Sequence, residues 1–244
     1  MKNKLKYSIF LKEMFYFFLT LSLAIAPIFA IILFVYYRDK FEKEPIHLLI
    51  KCFLFGVLSI IPAIIIEIIP GFSDYDVANN IAITVIYAFC FVGLGEEFSK
   101  FFFIRIYIYR KKDFNEPFDG IIYAVMVSMG FATAENIFYV INGGLSTGFV
   151  RMFTAVPAHA AFAIIMGYYV GLAKFRKNSF LYLLTGLLMA ALAHGAYDFF
   201  LFQQNMPGLT ILSMVVLILI IIFSFRAIKV HRRNSPFRPN QASL

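Results

Sequence analysis

Four stretches of an otherwise apolar chain carry residues able to move protons or hold a cation. The first reads Gly95-Glu96-Glu97-Phe98-Ser99-Lys100. On a helix, Glu96 and Lys100 share a face and can pair, whereas Glu97 is turned about 100° from Glu96. That spacing predicts a division of labour, with one carboxylate facing a reaction centre and the other held by Lys100. The second stretch, Gly130-Phe131-Ala132-Thr133-Ala134-Glu135-Asn136, combines the small-residue spacing of close helix contacts with a carboxylate and an amide. The third is Pro157-Ala158-His159-Ala160, where the proline removes a backbone hydrogen bond and predicts a kink just before the imidazole. In the fourth, His194-Gly195-Ala196-Tyr197-Asp198, the aspartate lies one turn beyond the histidine, placed to orient it or to join it on a metal. Each stretch alone also fits a plainer role: an ion pair between helices, a capped polar network or a hydrogen-bonded core histidine.

Taken together, carboxylates and two histidines in a desolvated cavity fit activation of water. A glutamate can serve as general base, its proton affinity raised by burial. Two histidines and a carboxylate (His159, His194 and Glu135) can hold a divalent metal such as zinc with a position left for water. Alternatively the imidazoles can stabilise the oxyanion formed when water attacks an amide. The soluble zinc pattern, two histidines four apart on one helix, is missing from the sequence. A metal site here must therefore be assembled from several segments.

Those segments are membrane spans. The chain of 244 residues is 61% hydrophobic and 15% charged, against about a quarter charged in soluble domains. Its apolar residues come in runs long enough to cross about 30 Å of hydrocarbon, which takes roughly 20 residues. Seven spans are predicted, at about 14–37, 48–70, 81–105, 119–141, 151–173, 180–202 and 208–226. The expected fold is an all-α polytopic bundle forming a single integral membrane domain over 1–244, with a catalytic core over about 36–203 and a basic tail over 227–244. Lys2, Lys4, Lys6 and Lys12 before an apolar stretch with Ala24-Ile25-Ala26 resemble a secretion signal. Hydrophobicity continues to Tyr37, so that stretch reads as an uncleaved first span. Cys52 and Cys90 lie in apolar segments and read as small buried hydrophobes without a disulfide.

Charge placement sets orientation. The net charge of +8 sits between and after the apolar runs, where anionic lipid headgroups attract it, and no basic–aromatic interleaving points to nucleic acid. Arg38, Lys40, Lys43, Lys51, Arg105, Arg110, Lys111, Lys112, Lys174, Arg176, Lys177 and the tail from Arg226 fall on one side, expected to be cytoplasmic. The N-terminal lysines and Arg151 fall on the other. His47 and His231, in basic segments, are expected to be solvated. At 1.5 Å per residue, Glu96 lies about 5 Å to the cytoplasmic side of its span's centre and the two histidines about 4–5 Å to the outer side. Glu135 falls slightly further out, which leaves the set within about 13 Å of depth. A charged side chain at the bilayer centre costs about 2.5–3.5 kcal/mol, so four spans carrying such groups at one depth point to a shared hydrophilic site.

This ordered set resembles the PrsW family of intramembrane proteases. The likeness rests on Glu96-Glu97-x-x-Lys100, Gly130-Phe131-Ala132-x-x-Glu135-Asn136, His159 after Pro157, and His194-x-x-Tyr197-Asp198, with the loop Tyr37–Pro45 before them. It spans about residues 36–200, and is similar at a greater distance to the CAAX prenyl proteases and bacteriocin-processing proteins. The resemblance implies a membrane-embedded endopeptidase cutting membrane proteins near the extracytoplasmic face, with a single-pass anti-sigma factor as substrate. It implies Glu96, Glu97, Lys100, His159 and His194 as catalytic residues and Glu135, Asn136 and Asp198 as supporting ones. Family members have been called metallopeptidases, whereas the prenyl-protease group has been argued to use glutamate without metal. Two other classes fit the buried polar groups. One is a proton-coupled secondary transporter, against which the lack of internal repeats counts. The other is a scaffold packed through Gly167-x-x-x-Gly171.

Overall fold

The computed structural model describes residues 2–239. Among them the regular elements are all helical: α1 (Lys2–Arg38), α2 (Ile46–Ile68), α3 (Asp74–Asn79), α4 (Ile81–Ile86), α5 (Leu94–Ile106), α6 (Pro117–Phe153), α7 (Ala155–Phe175), α8 (Ser179–Phe202) and α9 (Ile211–Arg233). A π-helical stretch, Tyr87–Gly93, joins α4 to α5, so that Ile81–Arg110 forms one membrane-length run.

Six runs are long and apolar enough to cross a bilayer, and one of them, Pro117–Phe175, is 59 residues long. That run is a hairpin. Gly120 packs on Gly167 and Gly171, Ser128 donates to the carbonyl of His159, and Asn136 meets Arg151, so residue numbers descend on α7 as they rise on α6. Counted as two antiparallel crossings, the hairpin gives the seven spans expected, and the Gly167–Gly171 pair supplies its close contact. The chain turns where Gly144 takes φ +72°, a left-handed conformation that a side chain would strain.

The hairpin forms the middle of the bundle. Every residue from Phe118 to Ala132 is buried, which explains why α6 shows no polar face. α1 and α2 pack against α6, α8 against α7 and the π stretch, and α9 against α7 and α8. At the α2–α6 crossing the backbones touch: a Cβ on Gly56 would lie 1.8 Å from the Val127 carbonyl oxygen, and one on Gly130 1.9 Å from that of Phe53. The expectation that Gly130 marks a close helix contact is met there.

Some expectations are corrected. Pro157 sits in the first turn of α7, where backbone N–H groups lack intrahelical partners in any case, so it starts the helix rather than kinking it. Cys90 is exposed and only Cys52 is buried, although both are free thiols. His47 is exposed as expected, but His231 is buried, with its ring against Tyr168 and Nε2 bonded to that residue's carbonyl oxygen. Within the stretch 227–244 expected as a basic tail, α9 continues to Arg233 and Ser235 is buried. Residues 240–244 of that tail, and the side chains of Lys2 and Lys4, lie outside the described residues.

Candidate active site

Three helices deliver the donor atoms: α5 brings Glu96, Glu97 and Lys100, α7 brings His159, and α8 brings His194. One ligand atom each from Glu96, Glu97, His159 and His194 falls within 4.8 Å of the others, and all four residues are buried. The run Ile81–Arg110 has its midpoint between Gly95 and Glu96, so Glu96 stands at the centre of its span, not displaced along it. The sequence estimate had ended that span too early.

Two local features bring α5 and α8 together. In the π stretch the Leu94 N–H donates to the Phe89 carbonyl, five residues back, and such insertions turn the residues that follow around the helix axis. Gly93 and Gly195 then let the backbones meet, a Cβ on Gly93 lying 2.7 Å from the Ala191 oxygen and one on Gly195 2.7 Å from the Phe89 ring. This contact leaves His194 Nδ1 3.0 Å from Glu97 Oε1.

Lys100 does not choose between the two glutamates. Its ammonium lies 3.0 Å from Glu96 Oε2 and 2.8 Å from Glu97 Oε1, over the Phe131 ring at 3.9 Å. The expected division of labour fails because positions three and four residues back both flank a helical side chain, and the lysine stem reaches between them. The ammonium has only N–H donors, so its 3.4 Å contact makes His159 Nδ1 the acceptor. His159 Nε2–H then donates to Glu135 Oε2 at 2.6 Å. His194 differs, because both of its ring nitrogens face carboxylates and donate, Nδ1 to Glu97 Oε1 at 3.0 Å and Nε2 to Asp198 Oδ2 at 3.1 Å, with Phe162 stacked on its ring.

Sequence reasoning placed Glu135 among the metal donors. The structure puts its carboxylate on the far nitrogen of His159, and Asp198 stands in the same relation to His194. Asn136 reaches away from the tetrad, donating to the Ala24 carbonyl of α1. Arg151 was read only as a loop charge, yet its NH2 nitrogen lies 2.9 Å from Glu135 Oε1. Glu67 was missed altogether; its neighbour Ile66 touches Gly95, one residue before the glutamate pair. Glu67 is the lone charged residue between Cys52 and Ile69, and that isolation could have flagged it.

The donor set suits a divalent cation on two counts. Glu97 Oε2 is buried without a hydrogen-bond partner, so one oxygen of the cluster keeps its lone pairs open. Four carboxylates (Glu96, Glu97, Glu135, Asp198) face two fixed cations (Lys100, Arg151), so negative charge is in excess even with His194 doubly protonated. Two imidazoles with two carboxylates are ligands that zinc accepts. The group could hold a metal ion.

The fold and the site together define a multi-pass helical membrane protein whose buried polar groups converge on one carboxylate–imidazole centre. The family model described as PrsW family intramembrane metalloprotease matches residues 44–225. The protease PrsW of Geobacillus kaustophilus is 38% identical over 192 residues, covering 78% of this chain and 83% of that protein. Those of Bacillus subtilis and Oceanobacillus iheyensis are each 36% identical, over 75% and 88% of this chain and 83% and 97% of their own lengths. No solved structure matches. The chain belongs to the PrsW family and is a membrane-embedded protease.

Proposed function

We propose that this protease cuts single-pass membrane proteins close to the extracytoplasmic face, using the Glu96–Glu97–His159–His194 centre. The observation that carries the reading is the convergence of those four donor groups within 4.8 Å inside the bundle. His194 lies eight residues from Phe202, the end of α8, and fifteen from Ser179, or about 12 Å against about 22 Å along the helix. The nearer end carries loops 71–80 and 203–207, which lack Lys and Arg, whereas loops 38–45, 106–116 and 176–178 at the other end are basic. The positive-inside rule favours a cytoplasmic basic end, which supports a centre in the outer half. An anti-sigma factor is the substrate that the family resemblance implies.

Glu96, 5% exposed against 0% for Glu97, is the carboxylate better placed to take a proton from water and return it to the leaving amine. Lys100 holds both carboxylates in place. Glu135 and Asp198 fix the two imidazoles from behind, so that each presents Nδ1 to the centre. Glu97, His159 and His194 are the residues that would hold a metal, with Glu96 beside them. A divalent metal such as zinc supplies Lewis-acid charge to polarise the scissile carbonyl when bound.

The test is cleavage of co-expressed single-pass membrane proteins by wild type and by Glu96→Gln, Glu97→Gln and His159→Ala at matched membrane levels. Wild type should produce a fragment that each variant reduces by at least about 100-fold. A fragment undiminished in all three would remove this centre from the reaction.

A further inference from the structure

We infer that Arg151 is a positioning residue for the protease, acting on His159 through Glu135; the inference rests on the reading of the Glu96–His159–His194 centre as the active site. Arg151 makes no hydrogen bond or ion pair with Glu96, Glu97, His159 or His194. Its guanidinium spans two adjacent residues of α6, with Nε 2.5 Å from Asn136 Oδ1 and NH2 2.9 Å from Glu135 Oε1. The other oxygen of Glu135 takes the His159 Nε2–H at 2.6 Å. Both oxygens of one carboxylate are thus engaged, one by a fixed cation and one by the imidazole, which fixes the carboxylate plane and with it the ring.

The backbone is shaped to deliver this arginine. After Gly144 breaks the α6 geometry at φ +72°, the segment to Phe153 turns back toward the bundle, and Gly148 packs on Leu23 of α1. Arg151 arrives over the Tyr139 ring at 4.0 Å, its side chain 15% exposed. Asn136 in turn is tied to the Ala24 carbonyl at 3.0 Å, so the guanidinium is anchored against α1 as well as α6. A planar fork is suited to this double contact and an ammonium is not. Without the arginine, Glu135 would keep one partner and could rotate. His159 would then lose the constraint that holds Nδ1 toward Lys100 and the glutamate pair.

A double-mutant cycle tests this in the full-length protein: Arg151→Ala, Arg151→Lys, Glu135→Gln and the Arg151→Ala/Glu135→Gln pair, each assayed for initial cleavage rate over a range of substrate levels. Arg151→Ala should lower kcat by about 10–100-fold with KM little changed. The double variant should be no slower than Glu135→Gln alone, because both remove the same support. Arg151→Lys keeps the charge and most of the volume, which guards against misfolding, and should recover only part of the rate. Losses that multiply in the double variant, or an Arg151→Ala rate equal to wild type, would overturn the inference. The underlying site reading fails separately, if Glu96→Gln cuts as fast as wild type.

Discussion

Lys100 shows how much one side chain carries at the centre. It is 1% exposed and balances two buried carboxylates. Removing one member of a buried ionic group costs about 3–5 kcal/mol, because the partners stay behind unpaired. Lys100→Met should therefore destabilise the folded protein by about that amount in denaturant titrations in detergent. Adding Glu97→Gln should restore part of the loss, since it removes one of the stranded charges. Most groups at this scale were legible in the sequence, because a glutamate or histidine in an apolar run stands out against its neighbours. Their partners were not. Whether Glu135 faced the tetrad or the back of His159 depends on how α6 and α7 rotate against each other, and no spacing within one helix contains that.

The helices were legible as lengths and less so as phases. Hydropathy locates seven crossings, but it cannot see the π stretch, whose residues Tyr87–Gly93 are as apolar as any α-helical segment. Yet that stretch governs where Glu96 and Glu97 point. Inserting one alanine after Cys90, whose side chain is exposed and unbonded, adds a residue beyond the one the π stretch already absorbs. The residues before it would then turn by about 100° relative to those after it. The insertion variant should still enter the membrane as a helix, read by protease protection of its flanking loops, while losing cleavage. The α2–α6 crossing gives an independent check. Gly130→Leu has no space against the Phe53 carbonyl and should lower thermal stability by well over 1 kcal/mol, as overpacking of a close contact does.

Across the whole molecule, polar groups gather at two depths. Besides the active centre, the basic end holds a second cluster joining the first loop to the start of α6. There Asn115 donates to Glu42 at 3.0 Å, Tyr123 donates to Glu44, and Asp119 accepts from the N–H groups of Asn115 and Glu116. Burial, with the nearby Glu116, Glu44 and Glu42 carboxylates and against the pull of Lys43, raises Asp39 from 3.8 to about 7. Glu44 and Glu116 are raised too, chiefly by burial. A carboxyl whose folded pKa is raised stabilises the fold fully below its unfolded pKa and loses that contribution as pH climbs through the folded value. Unfolding temperatures in detergent should therefore show the advantage of Asp39→Asn over wild type growing between about pH 4 and pH 7, and levelling off above. The loop sequence announced its charges plainly. That they would be buried was hidden, because short hydrophilic loops ordinarily stay in water.

The way charges are shared along the chain bears on how the protein is made. Glu96 and Glu97 find Lys100 within their own helix, and His194 finds Asp198 within its own, each pair one turn apart. Glu135 finds Arg151 and His159 within the same hairpin. As the ribosome threads these segments through the translocon one after another, each can enter lipid with its charges already matched to a neighbour on the same helix or the next. The bonds between α5, α7 and α8 that complete the centre need form only afterwards, when the inserted segments close laterally. A cluster assembled in that order stays incomplete until α8, which carries His194, is in the membrane.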